Sequence, residues 1–438
     1  MAKEGILALM RPVILSLLLV ATIFAGAGRV VSQPASPVAT PVAATDDLPA
    51  WLEFGPDGVL IARTLTAGAC PELDIDGRAV AMQRRGAADA AFPVTACEAI
   101  VPFGAVTASI MGVALPLPGG PLERIAVIGD TGCRLSDYNN AFQSCNDPAE
   151  WPFAQVATSV AAWQPDLIIH VGDYLYRESP CPANVRGCAG SPSGDNWETW
   201  NADFVAPAGP LFTAAPLVMM RGNHETCDRN PEGWFRFYDP RPYQKACQTY
   251  TDPYIVPLNG VTLAALDSAA ASDTKATPEE TKEYVREFGL IAETAPAGSW
   301  LVTHRPVWGV FSAEHRDTEG EDAAYESAIG DQLSANLALI VSGHIHIAEA
   351  LSFEGSSNLP PQLISGNAGT ALDSMPTGTP TGAELDDPEL VEAEILSSFG
   401  FLTLEPGGTG WVATQRDAFG NAKVVCDLGK NAAGCTAP

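Results

Sequence analysis

A carboxylate and a phenol follow one short apolar run at a spacing that suits a metal ion. Residues 167–169 have the pattern of a buried strand, and the chain then continues as His-Val-Gly-Asp-Tyr-Leu-Tyr from His170 to Tyr176. A glycine turn at a strand end can direct Asp173 and Tyr176 toward one point, where carboxylate and phenolate oxygens favour a hard cation. A strand that ends in Gly-Asp is more often an ordinary turn, so this stretch alone does not establish a site.

Polar residues also follow four other apolar runs. They are Asp130, Asn223 with His224, His304, and His344 with His346. The six histidines of the chain all lie at or near predicted strand ends or in the loops beyond them: His170, His224, His304, His315, His344 and His346. In open α/β sheets, sites form beyond the carboxyl ends of the strands, so the pattern predicts that these side chains converge.

The elements that must position these residues alternate along the chain. Apolar runs predict strands at 125–128, 167–171, 217–220, 261–266, 300–302 and 337–341, and the patterns at 153–163 and 278–292 predict helices. Further strands are expected at 399–404, 411–415 and 423–426. Because strands alternate with helices, we expect an α/β sandwich domain, which we place at 120–438.

A smaller domain is expected before the α/β sandwich. Residues 49–119 contain short apolar runs separated by Gly, Pro and Asp turns, which indicates a small all-β sandwich. The Pro/Ala/Thr-rich residues 33–48 suit an extended linker.

The first 32 residues have the pattern of an export signal. Lys3 and Arg11 precede an apolar run, which small residues follow. The alternative is an uncleaved membrane anchor, for which the apolar run is short. We therefore expect a protein that is secreted, periplasmic or displayed at the cell surface, with no stable membrane partner unless the signal is retained.

Cysteine usage and net charge narrow the class further. Ten cysteines in an exported chain favour disulfides, and neighbour pairing is the simplest of the possible connectivities: Cys70–Cys97, Cys133–Cys145, Cys181–Cys188, Cys227–Cys247 and Cys426–Cys435. The formal charge of −28 argues against nucleic acid binding through a basic surface. An anionic phosphate substrate would need local positive charge, which bound cations could supply.

Five short blocks of the sequence resemble the motifs of one protein family, and they occur in the same order along the chain. The blocks are Gly129-Asp130-Thr131-Gly132, Gly172-Asp173-Tyr174-Leu175-Tyr176, Gly222-Asn223-His224-Glu225, Leu301-Val302-Thr303-His304 and Gly343-His344-Ile345-His346. They resemble the calcineurin-like metallophosphoesterases and, among these, the purple acid phosphatases. Many metallophosphoesterases carry a histidine where Gly132 stands, whereas the purple acid phosphatases use a tyrosine that Tyr176 matches in spacing. The resemblance implies an αββα sandwich for the catalytic domain.

The resemblance also implies a site for two metal ions. One ion would be bound by Asp130, Tyr176 and His346, the second by Asn223, His304 and His344, and Asp173 would bridge the two. Aspartate and phenolate make the first site hard, as Fe³⁺ prefers, and an amide with two imidazoles suits a divalent Fe, Zn or Mn.

Two histidines are candidates for contact with the substrate. His224 is similar to a substrate-facing histidine of the family and could donate a proton or bind phosphate. His315 lies in a stretch where purple acid phosphatases have another such histidine, without a surrounding motif. Tyr176 has an alternative role as a core aromatic residue, which suits Tyr174 better.

The implied reaction is hydrolysis of small phosphate esters, first of all phosphomonoesters, by in-line attack of a metal-bound hydroxide. Two alternatives stay open: a phosphodiesterase of the same fold, and a non-catalytic surface-binding protein whose site has decayed. Decay normally removes a metal ligand, and no ligand position is missing here. Arg177, Arg221 and Arg305 each adjoin a block, and one of them could contact phosphate.

Overall fold

The computed structural model describes residues 49–438 except 139, 274, 310–324, 326–332, 334, 354–358, 375–389, 409, 430 and 431. The predicted signal peptide at 1–32, the predicted linker at 33–48 and His315 lie outside the described residues. Among the described residues, none of the helices has the length and apolarity that crossing a lipid bilayer requires.

The N-terminal part of the fold is built from strands, as predicted. They are β1 (Ala50–Phe54), β2 (Leu60–Thr66), β3 (Glu72–Ile75), β4 (Arg78–Ala81), β5 (Gln83–Gly86), β6 (Thr95–Val101), β7 (Ala108–Ile110) and β8 (Val113–Ala114). Four of them form a small sheet in the order β4-β3-β7-β8.

The next part of the chain begins the alternation of strands and helices. Its elements are β9 (Ile125–Ile128), β10 (Leu135–Ser136), β11 (Ala141–Phe142), α1 (Phe153–Trp163), β12 (Leu167–His170), α2 (Trp197–Trp200), α3 (Gly209–Ala214), β13 (Leu217–Met219) and α4 (Pro231–Phe237). The predicted bounds of β9 and α1 are confirmed to the residue. Helix α1 ends where Gln164 takes a left-handed conformation.

The last part supplies the second sheet and the C-terminal strands. Its elements are β14 (Tyr254–Pro257), β15 (Thr262–Ala265), α5 (Pro278–Thr294), β16 (Ser299–Val302), β17 (Leu337–Ser342), β18 (Ala348–Phe353), β19 (Gln362–Ser365), β20 (Leu390–Leu396), β21 (Gly400–Gly407), β22 (Gly410–Asp417), β23 (Ala422–Gly429) and β24 (Ala432–Thr436). Helix α5 begins with a capping box, in which Thr277 and Glu280 each accept the other's backbone N–H.

Two large sheets form the centre of the fold. One has eleven strands in the order β24-β23-β22-β21-β9-β12-β13-β1-β2-β6-β5, and the other has seven in the order β14-β15-β16-β17-β19-β18-β20. Alternate residues of each strand face opposite sides, so Val127 and Ile169 share one apolar core with Leu263 and Val341 of the second sheet.

The outer faces of the two sheets are covered by helices. Ala126 and Ile168 of the large sheet pack in a second core with residues of α1, α3 and α4. On the other side, Leu301 and Ile340 pack with residues of α5. The layers are therefore helix, sheet, sheet and helix, and the predicted αββα fold is confirmed.

The N-terminal strands differ from the expectation in one respect. Strands β1, β2, β6 and β5 continue the large sheet, because β1 pairs in parallel with β13 and places Glu53 opposite Leu217. The buried Arg63 and Arg85 strengthen this junction by donating to carbonyl oxygens at the end of α4, among them that of Phe237 at 2.7 Å. A helix C-terminus favours cations, and breaking a buried ionic cluster costs about 3–5 kcal/mol. The predicted domain boundary between 119 and 120 stays a prediction.

Disulfides link loops and strands around this core. All five neighbour pairs predicted from the sequence are formed. Five disulfides are typical of a protein that folds in an oxidising compartment, which agrees with export.

Candidate metal centre

Parallel strands from both sheets end at one place. Strands β9, β12 and β13 lie side by side in the large sheet, and β16 and β17 are neighbours in the second sheet. The residues that follow their carboxyl ends are Asp130, Asp173, Asn223, His304 and His344. The convergence expected from the strand-end pattern is therefore what the fold brings about.

Three of these residues have an unusual backbone. Asp130, Asp173 and His344 have φ angles of 56°, 60° and 70°, in the left-handed region that non-glycine residues rarely adopt. Backbone strain of this kind persists where the surrounding structure enforces it, often at functional sites. Gly343 permits the close approach, since a Cβ at this position would lie 2.6 Å from Asp130 Oδ2.

The first half of the centre surrounds the Tyr176 hydroxyl. Its oxygen lies 2.8 Å from Asp130 Oδ1, 2.8 Å from Asp173 Oδ2 and 3.0 Å from His346 Nε2. All four side chains are buried. Tyr176 therefore belongs to the centre, and the core role falls to Tyr174, whose ring stacks on Trp234 and Tyr238.

The second half of the centre surrounds His304. Its Nε2 lies 2.9 Å from Asn223 Oδ1 and 3.2 Å from Asp173 Oδ2. Single ligand atoms of Asp173, His304 and His344 all lie within 4.8 Å of one another. Asp173 contacts both halves through the same oxygen, Oδ2.

The charges of the centre fit bound cations. Among the described residues, no lysine or arginine forms an ion pair with Asp130 or Asp173, although both carboxylates are fully buried. Buried carboxylates of this kind need a compensating positive charge. Burial alone would raise the pKa of Asp173, but His304 and His224 hold it well below its usual range. Burial opposes a proton on His304, yet Asp173 raises the pKa of His304 to about 9.

The protein surroundings of Tyr176 favour the protonated phenol. Burial raises its pKa well above the usual value, and the charges of Asp130 and Asp173 raise it further. A trivalent ion among the same ligands would favour the phenolate instead, because it supplies the opposite charge.

Hydrogen bonds outside the centre hold two of its histidines in position. His304 Nδ1 lies 2.9 Å from the carbonyl oxygen of Val171, which leaves Nε2 to face Asp173. The backbone N–H of His346 donates to Asp373 Oδ2 at 2.9 Å. His170 does not touch Asp173; its Nδ1 accepts from the backbone N–H of Gly172.

His224 lies over the first half of the centre. Its ring packs against the Tyr176 ring, tilted by 35° with the centroids 3.7 Å apart, and its Nε2 is 3.8 Å from Asp173 Oδ2. The other ring nitrogen, Nδ1, is 3.1 Å from Glu178 Oε1. Arg229 Nη2 lies 2.9 Å from Nδ1 and 3.1 Å from Nε2, so it approaches the ring from its face rather than in line with either nitrogen.

Several residues at the centre carry no recognisable sequence signal. Asp273 Oδ1 is 2.9 Å from His344 Nε2, and Glu178 binds both His224 and Arg229. Asp203 accepts the backbone N–H of Tyr176 at 2.8 Å. Of these three acidic residues, Glu178 alone lies close to one of the five blocks, two residues after Tyr176.

A cleft opens beside the second half of the centre. It has a volume of about 560 Å³, and Asn223, Arg229, Arg305 and Ala269–Ala271 contribute to its lining. A small organic phosphate fits a space of this size.

Comparison with known families identifies the chain. The sequence profile described as "Calcineurin-like phosphoesterase" matches residues 123–348, which contain all five blocks. The chain belongs to this family. Calcineurin-like phosphoesterases are phosphoester hydrolases that use metal ions, and the centre described above lies within the matched residues.

Two solved structures show the same fold. A purple acid phosphatase, PPD1, from seeds of yellow lupin (Lupinus luteus) superposes with a TM-score of 0.52 at 14% identity, over 85% of this chain and 72% of the lupin chain. PhoD superposes with a TM-score of 0.53 at 12% identity, over 91% of this chain and 94% of PhoD. The calcineurin-like phosphoesterase described here is therefore purple acid phosphatase-like in fold. No curated protein matches the sequence.

Proposed function

We propose that this protein is an exported phosphomonoesterase with two metal ions at the centre of Asp130, Asp173, Tyr176, Asn223, His304, His344 and His346. The observation that carries the proposal is the convergence of these side chains, with Asp173 shared between the two halves. Asp130, Tyr176 and His346 would hold one ion, which we propose to be Fe³⁺. Asn223, His304 and His344 would hold a divalent Fe, Zn or Mn.

Bound ions would polarise the phosphate oxygens and acidify a water that attacks phosphorus. In the net reaction, the oxygen of this water forms a bond to phosphorus and the ester P–O bond breaks. The leaving oxygen then needs a proton. His224 Nε2 faces the centre and Nδ1 lies beside Glu178, and these two contacts support His224 as the donor of that proton.

Export is supported by the five disulfides, and the phosphomonoester class by the arginines that line the cleft. Arg229 and Arg305 add positive charge beside Asn223 in a strongly acidic protein. A phosphomonoester carries more negative charge than a phosphodiester and gains more from such groups.

Paired assays with a monoester and a diester test the proposal. We expect the purified protein to hydrolyse p-nitrophenyl phosphate faster than bis(p-nitrophenyl) phosphate. Removal of the metals by a chelator should abolish both activities, and returning iron and zinc should restore them. Faster hydrolysis of the diester would indicate a phosphodiesterase. Full metal content without hydrolysis of either ester would indicate a binding protein.

A further inference from the structure

Three arginines adjoin the sequence blocks, and two of them face into the protein. Arg177 Nε donates to Asp203 Oδ1 at 2.7 Å. Arg221 donates to the carbonyl oxygens of Glu225 and Gln248 at 3.0 and 2.8 Å. Both guanidinium groups therefore form hydrogen bonds within the loops that support the centre. Neither of them lines the cleft.

Arg305 is placed differently. It directly follows His304, and its backbone N–H donates to Ser268 Oγ at 2.8 Å, which fixes the chain at this point. Its Nη1 lies 3.0 Å from His344 Nε2, and the same nitrogen forms an ion pair with Asp273. Arg305 also lines the cleft beside Asn223. Its guanidinium therefore lies where the second half of the centre meets the cleft.

The local charges favour an anion at this place. Asp273 offsets part of the repulsion between the guanidinium and a cation held by His344, and it fixes the direction of the guanidinium. A planar guanidinium presents five N–H donors, so it can meet a carboxylate and a phosphate at the same time. The formal charge of −28 makes such a local anchor more valuable, because the field of the whole chain repels phosphate.

We propose that Arg305 binds the non-bridging oxygens of the substrate's phosphoryl group and that Asp273 positions Arg305 for this contact. The inference rests on the proposed function, since it concerns the same substrate. It assigns the contact to Arg305 rather than to Arg177 or Arg221. It also gives a role to Asp273, a residue outside the family's blocks.

Substitution of Arg305 tests the inference. We expect Arg305→Gln to lower kcat/KM for p-nitrophenyl phosphate by about 10- to 100-fold, the range for loss of a charged hydrogen bond. The inhibition constant of inorganic phosphate should rise by about tenfold or more for the same reason. Arg305→Lys should lie between the wild type and Arg305→Gln, because lysine keeps the charge but loses the planar fork.

Asp273→Asn should raise KM more than it lowers kcat, and Asp273→Glu should recover part of the loss. The control is Arg286→Gln, which removes the same charge from the exposed face of α5 and should leave all constants unchanged. Metal content of each variant is measured by mass spectrometry and should equal that of the wild type.

The outcomes separate this inference from the proposed function. If Arg305→Gln keeps its metals and both its KM and its phosphate inhibition constant stay at wild-type values, the inference is wrong and the proposed function stands. If the wild type neither binds metal nor hydrolyses the ester, both are wrong. Loss of phosphate affinity with full metal content supports both.

Discussion

Asp173→Asn should abolish nearly all phosphatase activity and reduce the metal content from two ions per chain to one or none. The Asp173 Oδ2 atom contacts both Tyr176 and His304, so its loss affects both halves of the centre. Asparagine has the same shape but no charge, and the buried site then lacks one of its two carboxylate ligands. Metal ions supply several kcal/mol of transition-state stabilisation, which corresponds to a loss of about 10³-fold or more in kcat.

The control for this variant lies at the opposite end of the same strand. Asp166 directly precedes β12 and accepts the backbone N–H groups of Glu123 and Arg124, away from the centre. Asp166→Asn should keep two metals and full activity. Two bound metals with wild-type kcat in Asp173→Asn would contradict the bridging role.

His224→Asn should lower kcat by about 10²- to 10⁴-fold for substrates with poor leaving groups, the range for loss of a general acid. His224 lies against Tyr176, with Nδ1 held by Glu178 and Nε2 toward Asp173. An alkyl phosphate needs the proton that this residue supplies, whereas 2,4-dinitrophenyl phosphate has a leaving group that departs without one. The loss should therefore be much smaller for the dinitrophenyl ester.

The rate of hydrolysis should also change with pH in a defined direction, because His224 must be protonated to act as the donor. Burial lowers the pKa of His224, the Arg229 charge lowers it further, and Asp173 and Glu178 oppose the shift. A proton donor with a lowered pKa is protonated only in more acidic solution. Hydrolysis of an alkyl phosphate should therefore fall as the pH rises through this pKa.

The leaving-group comparison has its own contradicting result. An equal loss for both leaving groups in His224→Asn would indicate a role in phosphate binding instead.

The strands around the centre could be predicted because their signal is local. The apolar run 125–128 ends two residues before Asp130, and strand β9 has those bounds. The same reasoning located β12, β16 and β17 within one or two residues. Neighbour pairing of the cysteines was also correct, since each pair closes a loop of fewer than thirty residues.

Pairing of distant strands was not predictable in the same way. The sequence pattern of β1 indicates a separate β domain. In the structure β1 pairs with β13, which lies more than 160 residues further along the chain. The choice of partner depends on buried contacts such as those of Arg63 with the end of α4, which no local pattern reports.

The residues that support the centre could not be predicted from the sequence either, because their contacts also depend on distant parts of the chain. Asp273, Glu178 and Arg229 lie in loops and touch the centre only because the fold places those loops there. Glu225, at the end of the third block, supports the adjoining turns by accepting the backbone N–H groups of Tyr174 and Gly222.

The central claim is a metal centre in which Tyr176 is a ligand of Fe³⁺. The most direct test is the visible absorption spectrum of the exported protein, recorded together with its metal content. A tyrosinate bound to Fe³⁺ gives a charge-transfer band, so we expect a coloured wild type with two metals per chain and a colourless Tyr176→Phe. Tyr174→Phe is the matched control and should keep the band, because the Tyr174 hydroxyl donates to the Met220 carbonyl oxygen and not to the centre. A colourless wild type with two divalent metals, or a Tyr176→Phe variant that keeps the band, would contradict the claim.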